Sequence, residues 1–120
     1  MQKKNKYFIW SIFSWAFLAL VIILSLIPIP IDSDNNYSNL QLDKMTHFFS
    51  YSLLLVLFSR IYISRFYIKT SVLLFLLGFL LEIIQSYTSY RTFDINDLLA
   101  NTFGIMLGIF ISNYIINNYK

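Results

Sequence analysis

The chain contains no cysteine. That excludes structural disulfides, thiolate metal sites, a nucleophilic thiol and a lipidated N-terminal cysteine. It is also poor in charge, with only 12% Asp, Glu, Lys and Arg among 120 residues, and it has a single histidine. A soluble domain of this size needs more charge than this to cover its surface. In place of charge the chain is 58% hydrophobic and 19% aromatic, with a mean hydropathy of +0.63. A bilayer has room for such side chains in its interior and at its boundaries. No internal repeat is present, and the length leaves no room for a second domain. The net charge of +3 does not indicate a nucleic-acid partner, because the basic residues sit in short clusters flanking apolar runs rather than along one solvated face.

Four apolar runs are separated by short connectors. The first, Tyr7 to Ile27, is uncharged and follows Lys3, Lys4 and Lys6. About twenty residues cross a hydrocarbon core of about 30 Å. The run is longer than the core of a signal peptide, no small-residue cleavage site follows, and Pro28 and Pro30 end it. The others are 45–62, with His47 and Arg60 near its two ends; 70–87, uncharged except for Glu82; and 97–116. The connectors Ile31–Lys44, which includes the polar stretch Asp32 to Asn39, then Ile61–Lys69 and Thr88–Asn96 are short enough to imply antiparallel neighbours. The expected fold is an all-α, four-helix transmembrane bundle of up-down topology.

Lys and Arg set its orientation. Lys3, Lys4, Lys6, Arg60, Arg65, Lys69 and Lys120 fall on one side, while Lys44 and Arg91 stand on the other beside Asp32, Asp34, Asp43, Asp94 and Asp97. The positive-inside rule then places both termini in the cytoplasm.

A membrane anchor needs no ionisable groups inside its helices, yet His47, Glu82 and Asp97 are there, with Gln85 and Asn101 as neutral companions. Such residues usually face the bundle interior and find partners. Glu82 lies about five residues before Tyr87, roughly 8 Å inside at 1.5 Å per residue, so the set belongs to the outer third of the bilayer. Asp43, His47 and Ser50 share one helical face. Glu82 and Gln85 share another, with Gly78 a turn below. Asp97 and Asn101 stand above Gly104 and Gly108. Asp97 also suits the opening of a helix, and the glycines suit close packing. These stripes are expected to meet in one outward-facing polar pocket, capped by Arg91 and Asp94.

The ordered pattern Asp43-Lys44-x-x-His47, Glu82-x-x-Gln85, then Arg91, Asp94, Asp97, Asn101, Gly104 and Gly108 resembles that of the VanZ-like family of small bacterial membrane proteins. The resemblance runs over roughly residues 8–116. It departs at Thr88-Ser89-Tyr90, where relatives often carry Pro or Gly before the loop arginine. The resemblance implies a multi-pass protein of the bacterial plasma membrane. The family's named member is associated with resistance to teicoplanin-type glycopeptides, which implies a link to tolerance of envelope-active compounds.

Three functions fit these residues. In the first, the pocket binds an envelope lipid or lipid-linked precursor, with Lys44 and Arg91 meeting a phosphate and Asp43, Gln85, Asp94, Asp97 and Asn101 completing the site. In the second, the protein is an enzyme acting on such a lipid, with Glu82 or His47 as acid or base. In the third, the cluster only locks the bundle as part of a structural or interaction subunit. A metal variant would use His47, Glu82 and Asp97. One imidazole and two carboxylates on three helices are too sparse a signal to assign one, so neither metal nor cofactor is expected.

Overall fold

The computed structural model describes residues 2–28, 36–62 and 67–118, with side chains from residue 5 in the first segment and from residue 41 in the second. Asp32, Asp34, Pro30, Arg65 and Lys120, and the side chains of Lys3 and Lys4, lie outside the described residues. Four helices follow one another: α1 Gln2–Leu26, α2 Asn36–Ser59, α3 Tyr67–Ser86 and α4 Ile95–Asn118. Helix is what long apolar runs must form in lipid, since the backbone has no water to bond. Three of the helices are long and apolar enough to cross a membrane: α1 from Asn5 (mean hydropathy 2.4), α3 (2.0) and α4 (1.6). α2 is less apolar because its first half carries Gln41, Asp43, Lys44 and His47.

α2 is the central helix and packs against all three others, most extensively against α4. Tyr51, Leu54, Leu55 and Phe58 of α2 form the core with Val21 of α1, Leu74 of α3 and Ile105 of α4. The remaining faces are apolar and exposed, as at Phe8, Phe13, Leu73, Phe103 and Phe110. That is the distribution expected where lipid, not water, surrounds the bundle.

Antiparallel packing brings the C-terminal ends of α1 and α3 together with the N-terminal ends of α2 and α4. The amide of Gln85 reaches the carbonyl of Ser25, and the hydroxyl of Tyr90 donates to the carbonyl of Leu26. At the opposite end the Arg60 guanidinium lies 5.7 Å from the centre of the Trp10 ring, a cation–π contact.

The helix limits depart from the apolar runs in one instructive place. α2 begins at Asn36 rather than Met45, so Asn36–Lys44 is helical and not a connector. The polar residues extend the helix beyond its apolar part, and they carry Asp43 and Lys44 out as a rigid arm.

The three glycines allow close approach. A Cβ on Gly104 would collide with the Phe48 carbonyl, and one on Gly108 would lie 2.8 Å from the Ser52 carbonyl oxygen, so α4 meets the α2 backbone directly. A Cβ on Gly78 would lie 2.8 Å from the Asn101 amide nitrogen and 3.2 Å from the Tyr51 hydroxyl. Small residues serve such contacts in membranes, where association depends on packing rather than hydrophobic driving force.

Candidate functional site

The end of the bundle where α2 and α4 begin holds nearly every polar residue singled out above. α2 presents Asp43 and Lys44 in one turn and His47 in the next. α3 contributes Glu82, α4 contributes Asp97 and Asn101, and the 87–94 loop supplies Arg91 and Asp94. Glu82, Asp97 and Asn101 are buried.

Three ion pairs, made by two cations, tie the loop and α4 to α2. The Lys44 ammonium donates to Asp94 Oδ2 at 2.7 Å and to Asp97 Oδ1 at 3.0 Å. The Arg91 guanidinium donates to Asp43 Oδ2 at 2.7 Å. Beneath them Asp94 N–H donates to Glu82 Oε2 at 3.3 Å. His47 Nδ1 lies 3.1 Å from the Asn101 side-chain oxygen. Phe93 also anchors the loop by packing edge-on against Phe79 of α3.

Each helix start and stop explains one placement. α3 ends in a tight turn, with Tyr87 and Thr88 N–H groups donating back to the carbonyls of Ile84 and Gln85. This reverses the chain and returns the loop over Glu82. Asp94 then caps α4: its side chain accepts from Asn96 N–H at 2.8 Å, and its carbonyl accepts from Asp97 N–H. The cap position belongs to Asp94, because α4 starts at Ile95, while Asp97 stands in the first turn of α4, where an acid suits the helix dipole. From there its side chain meets Lys44.

The charges at the rim act on one another. Partial burial opposes the Lys44 ammonium, but hydrogen bonds to Asp94 and Asp97 more than offset this and hold its pKa above the ordinary 10.5. Burial likewise opposes ionisation of Asp94, yet Lys44 and the Asn96 N–H outweigh it and hold the carboxyl below its ordinary 3.8.

The structure brings together Asp43, Lys44, His47, Glu82, Arg91, Asp94, Asp97 and Asn101. Gln85 is committed elsewhere: its amide donates to the Ser25 carbonyl at 2.6 Å and fastens α3 to α1. Lys44 and Arg91, read as phosphate ligands, are both bound to carboxylates. Tyr51 was not among the candidates, although it follows Lys44 and His47 at helical spacing. It is buried, with its hydroxyl against Gly78 one turn below Glu82. Tyr90 was missed because its partner is a backbone carbonyl, which no side-chain pattern reveals. Of the metal set considered, Glu82 stands apart; Asp43 takes its place beside His47 and Asp97. An apolar cavity of about 290 Å³, lined in part by Trp15, Leu18, Phe58 and Leu74, lies at the other end of the bundle.

The ordered acidic, basic and amide residues lie within the stretch covered by a family match. The VanZ/LLP1 family model matches residues 3–116, nearly the whole chain. No curated protein and no solved structure matches it. The helices long and apolar enough to span a membrane accord with that match, and the chain is a membrane protein belonging to the VanZ/LLP1 family.

Proposed function

We propose that the polar end of the bundle faces the outside of the bacterial plasma membrane, with both termini cytoplasmic, and recognises the headgroup of an envelope lipid or lipid-linked precursor. The observation that carries this reading is the way the 87–94 loop is held. Besides the Phe93–Phe79 contact, it is held over Glu82 by the Lys44–Asp94 and Arg91–Asp43 ion pairs. The Lys44 and Asp94 side chains keep 32% and 30% of their surface exposed. Partly exposed ion pairs contribute little net stability, so their partners exchange readily. A phosphate entering from the leaflet competes for the same Lys and Arg donors, and Arg offers it bidentate geometry. The ion pairs then act as an exchangeable latch over a headgroup site, which keeps the phosphate role of both cations and adds carboxylates that hold them in readiness. A link to tolerance of glycopeptide-type or other envelope-active compounds is part of this proposal, since such compounds act where these lipids are displayed.

Native mass spectrometry of lipids retained by the full chain tests this directly. Arg91→Ala and Lys44→Ala are expected to lose a retained phosphorylated lipid while helicity is unchanged. Equal lipid retention in both variants and wild type contradicts the reading.

A second reading is favoured by one specific contact. Glu82 is 2% exposed and accepts a long hydrogen bond from Asp94 N–H, an arrangement suited to a general base that the latch uncovers. Under that reading Glu82→Gln abolishes turnover of the lipid but leaves its retention intact.

A further inference from the structure

His47 sets the argument. Its side chain is nine-tenths buried, with 10% of its surface exposed. Its Nδ1 faces the side-chain oxygen of Asn101 at 3.1 Å. An amide oxygen only accepts, so Nδ1 carries the proton and donates. In the neutral ring Nε2 is then a bare lone pair. Asp43 Oδ1, another acceptor, lies 3.8 Å from that nitrogen. The gap is too wide for the roughly 2.7–2.9 Å of a charge-assisted hydrogen bond. Two electron-pair donors therefore stand side by side with a space between them.

A third donor joins them. One ligand atom from each of Asp43, His47 and Asp97 lies within 4.8 Å of the other two. Ligands at about 2.0–2.2 Å from a tetrahedral ion stand roughly 3.3–3.6 Å apart, so the three need to close by about an ångström to grip one. We propose that Asp43, His47 and Asp97 form a binding site for a divalent transition-metal ion of the Zn²⁺ type. Imidazole nitrogen with carboxylate oxygen suits such an ion better than Mg²⁺ or Ca²⁺, which prefer oxygen alone.

One further feature points the same way. Each of the three residues is already fixed by a polar neighbour: Asp43 accepts from Arg91 through Oδ2 and keeps Oδ1 3.8 Å from His47 Nε2, Asp97 accepts from Lys44 through Oδ1, and His47 Nδ1 meets the Asn101 oxygen. Metal-binding imidazoles and carboxylates are oriented by such a surrounding shell of hydrogen bonds. Three protein donors would leave the fourth position of a tetrahedral ion for a ligand from outside the chain.

The test uses the full chain in nanodiscs, stripped with a chelator and titrated with Zn²⁺ alone by calorimetry. One ion per chain is expected, with affinity falling at least tenfold in Asp43→Asn and His47→Gln and about 10–100-fold in Asn101→Ala, where a positioning residue is lost. X-ray absorption of the wild-type protein needs no variant and is expected to show one imidazole nitrogen with oxygen neighbours. Absence of stoichiometric uptake, or a zinc environment without imidazole, overturns the proposal. Zinc uptake and lipid retention are separate readouts, so either reading can fail while the other stands.

Discussion

Asp43 and Arg91, 48 residues apart in sequence, are joined by a 2.7 Å ion pair that ties the loop before α4 to the first turns of α2. The two side chains keep about a fifth of their surface, 21% and 18%. The pair lies between a surface bridge, worth at most about 1 kcal/mol, and a buried one, whose breakage costs about 3–5 kcal/mol. Asp43→Asn is expected to destabilise the protein by about 1–2 kcal/mol on that scale. Thermal unfolding of the metal-stripped protein measures it, and a double-mutant cycle with Arg91→Ala should show coupling between the two sites. Additive effects would mean that the pair contributes nothing.

Glycine substitutions should divide by what each new Cβ meets. Gly104→Ala and Gly108→Ala press on the α2 backbone, which cannot yield without moving the helix, and are expected to cost about 1–3 kcal/mol. At Gly78 the nearest obstacle is the Asn101 amide, the end of a side chain. Gly78→Ala should unfold less easily than the other two but disturb the His47–Asn101 contact. Melting temperatures and the His47 ring resonances distinguish these outcomes.

How much of this was legible in the sequence follows from range. The helices were readable because an apolar run must become helix in lipid, but the start of α2 was not, since apolar runs mark the hydrocarbon crossing and not the helix end. The faces of Asp43 with His47, and of Asp97 with Asn101, followed from helical spacing. The choice of partners did not. Whether Lys44 meets a ligand or Asp94, and whether Gln85 turns to the pocket or to Ser25, depends on helix rotation and offset. Backbone carbonyls at helix ends, such as those of Ser25 and Leu26, carry no signature in the sequence at all. Asp94 rather than Asp97 became the cap because α4 begins before its apolar stretch.

The loop latch has a defined pH window. Asp94 has its pKa depressed, so its contribution is present above about pH 3.8 and is lost as pH falls through the lower folded-state value. Lys44 has its pKa raised, so its contribution is present below 10.5 and is lost as pH rises through the higher folded-state value. The Lys44–Asp94 contact should therefore hold unchanged from about pH 5 to pH 9. Hydrogen exchange of the 88–94 amides checks this. A sharp rise in exchange centred near neutrality, beyond the intrinsic pH dependence, would contradict it.

The absence of cysteine makes orientation easy to test. Single cysteines at Thr88 and Asn118 are expected to react oppositely with a membrane-impermeant maleimide in intact cells, with only the Thr88 position labelled. Labelling at Asn118 alone would invert the bundle and place the polar end in the cytoplasm.

The most direct measurement is an experimental structure of the full chain in nanodiscs made from native envelope lipids. The account predicts a phosphorylated headgroup within hydrogen-bond distance of Arg91 or Lys44, with the 87–94 loop shifted from Asp43 and Asp94 paired away from its present partner. Lipid density confined to the apolar faces, with the loop closed over Glu82, would contradict it.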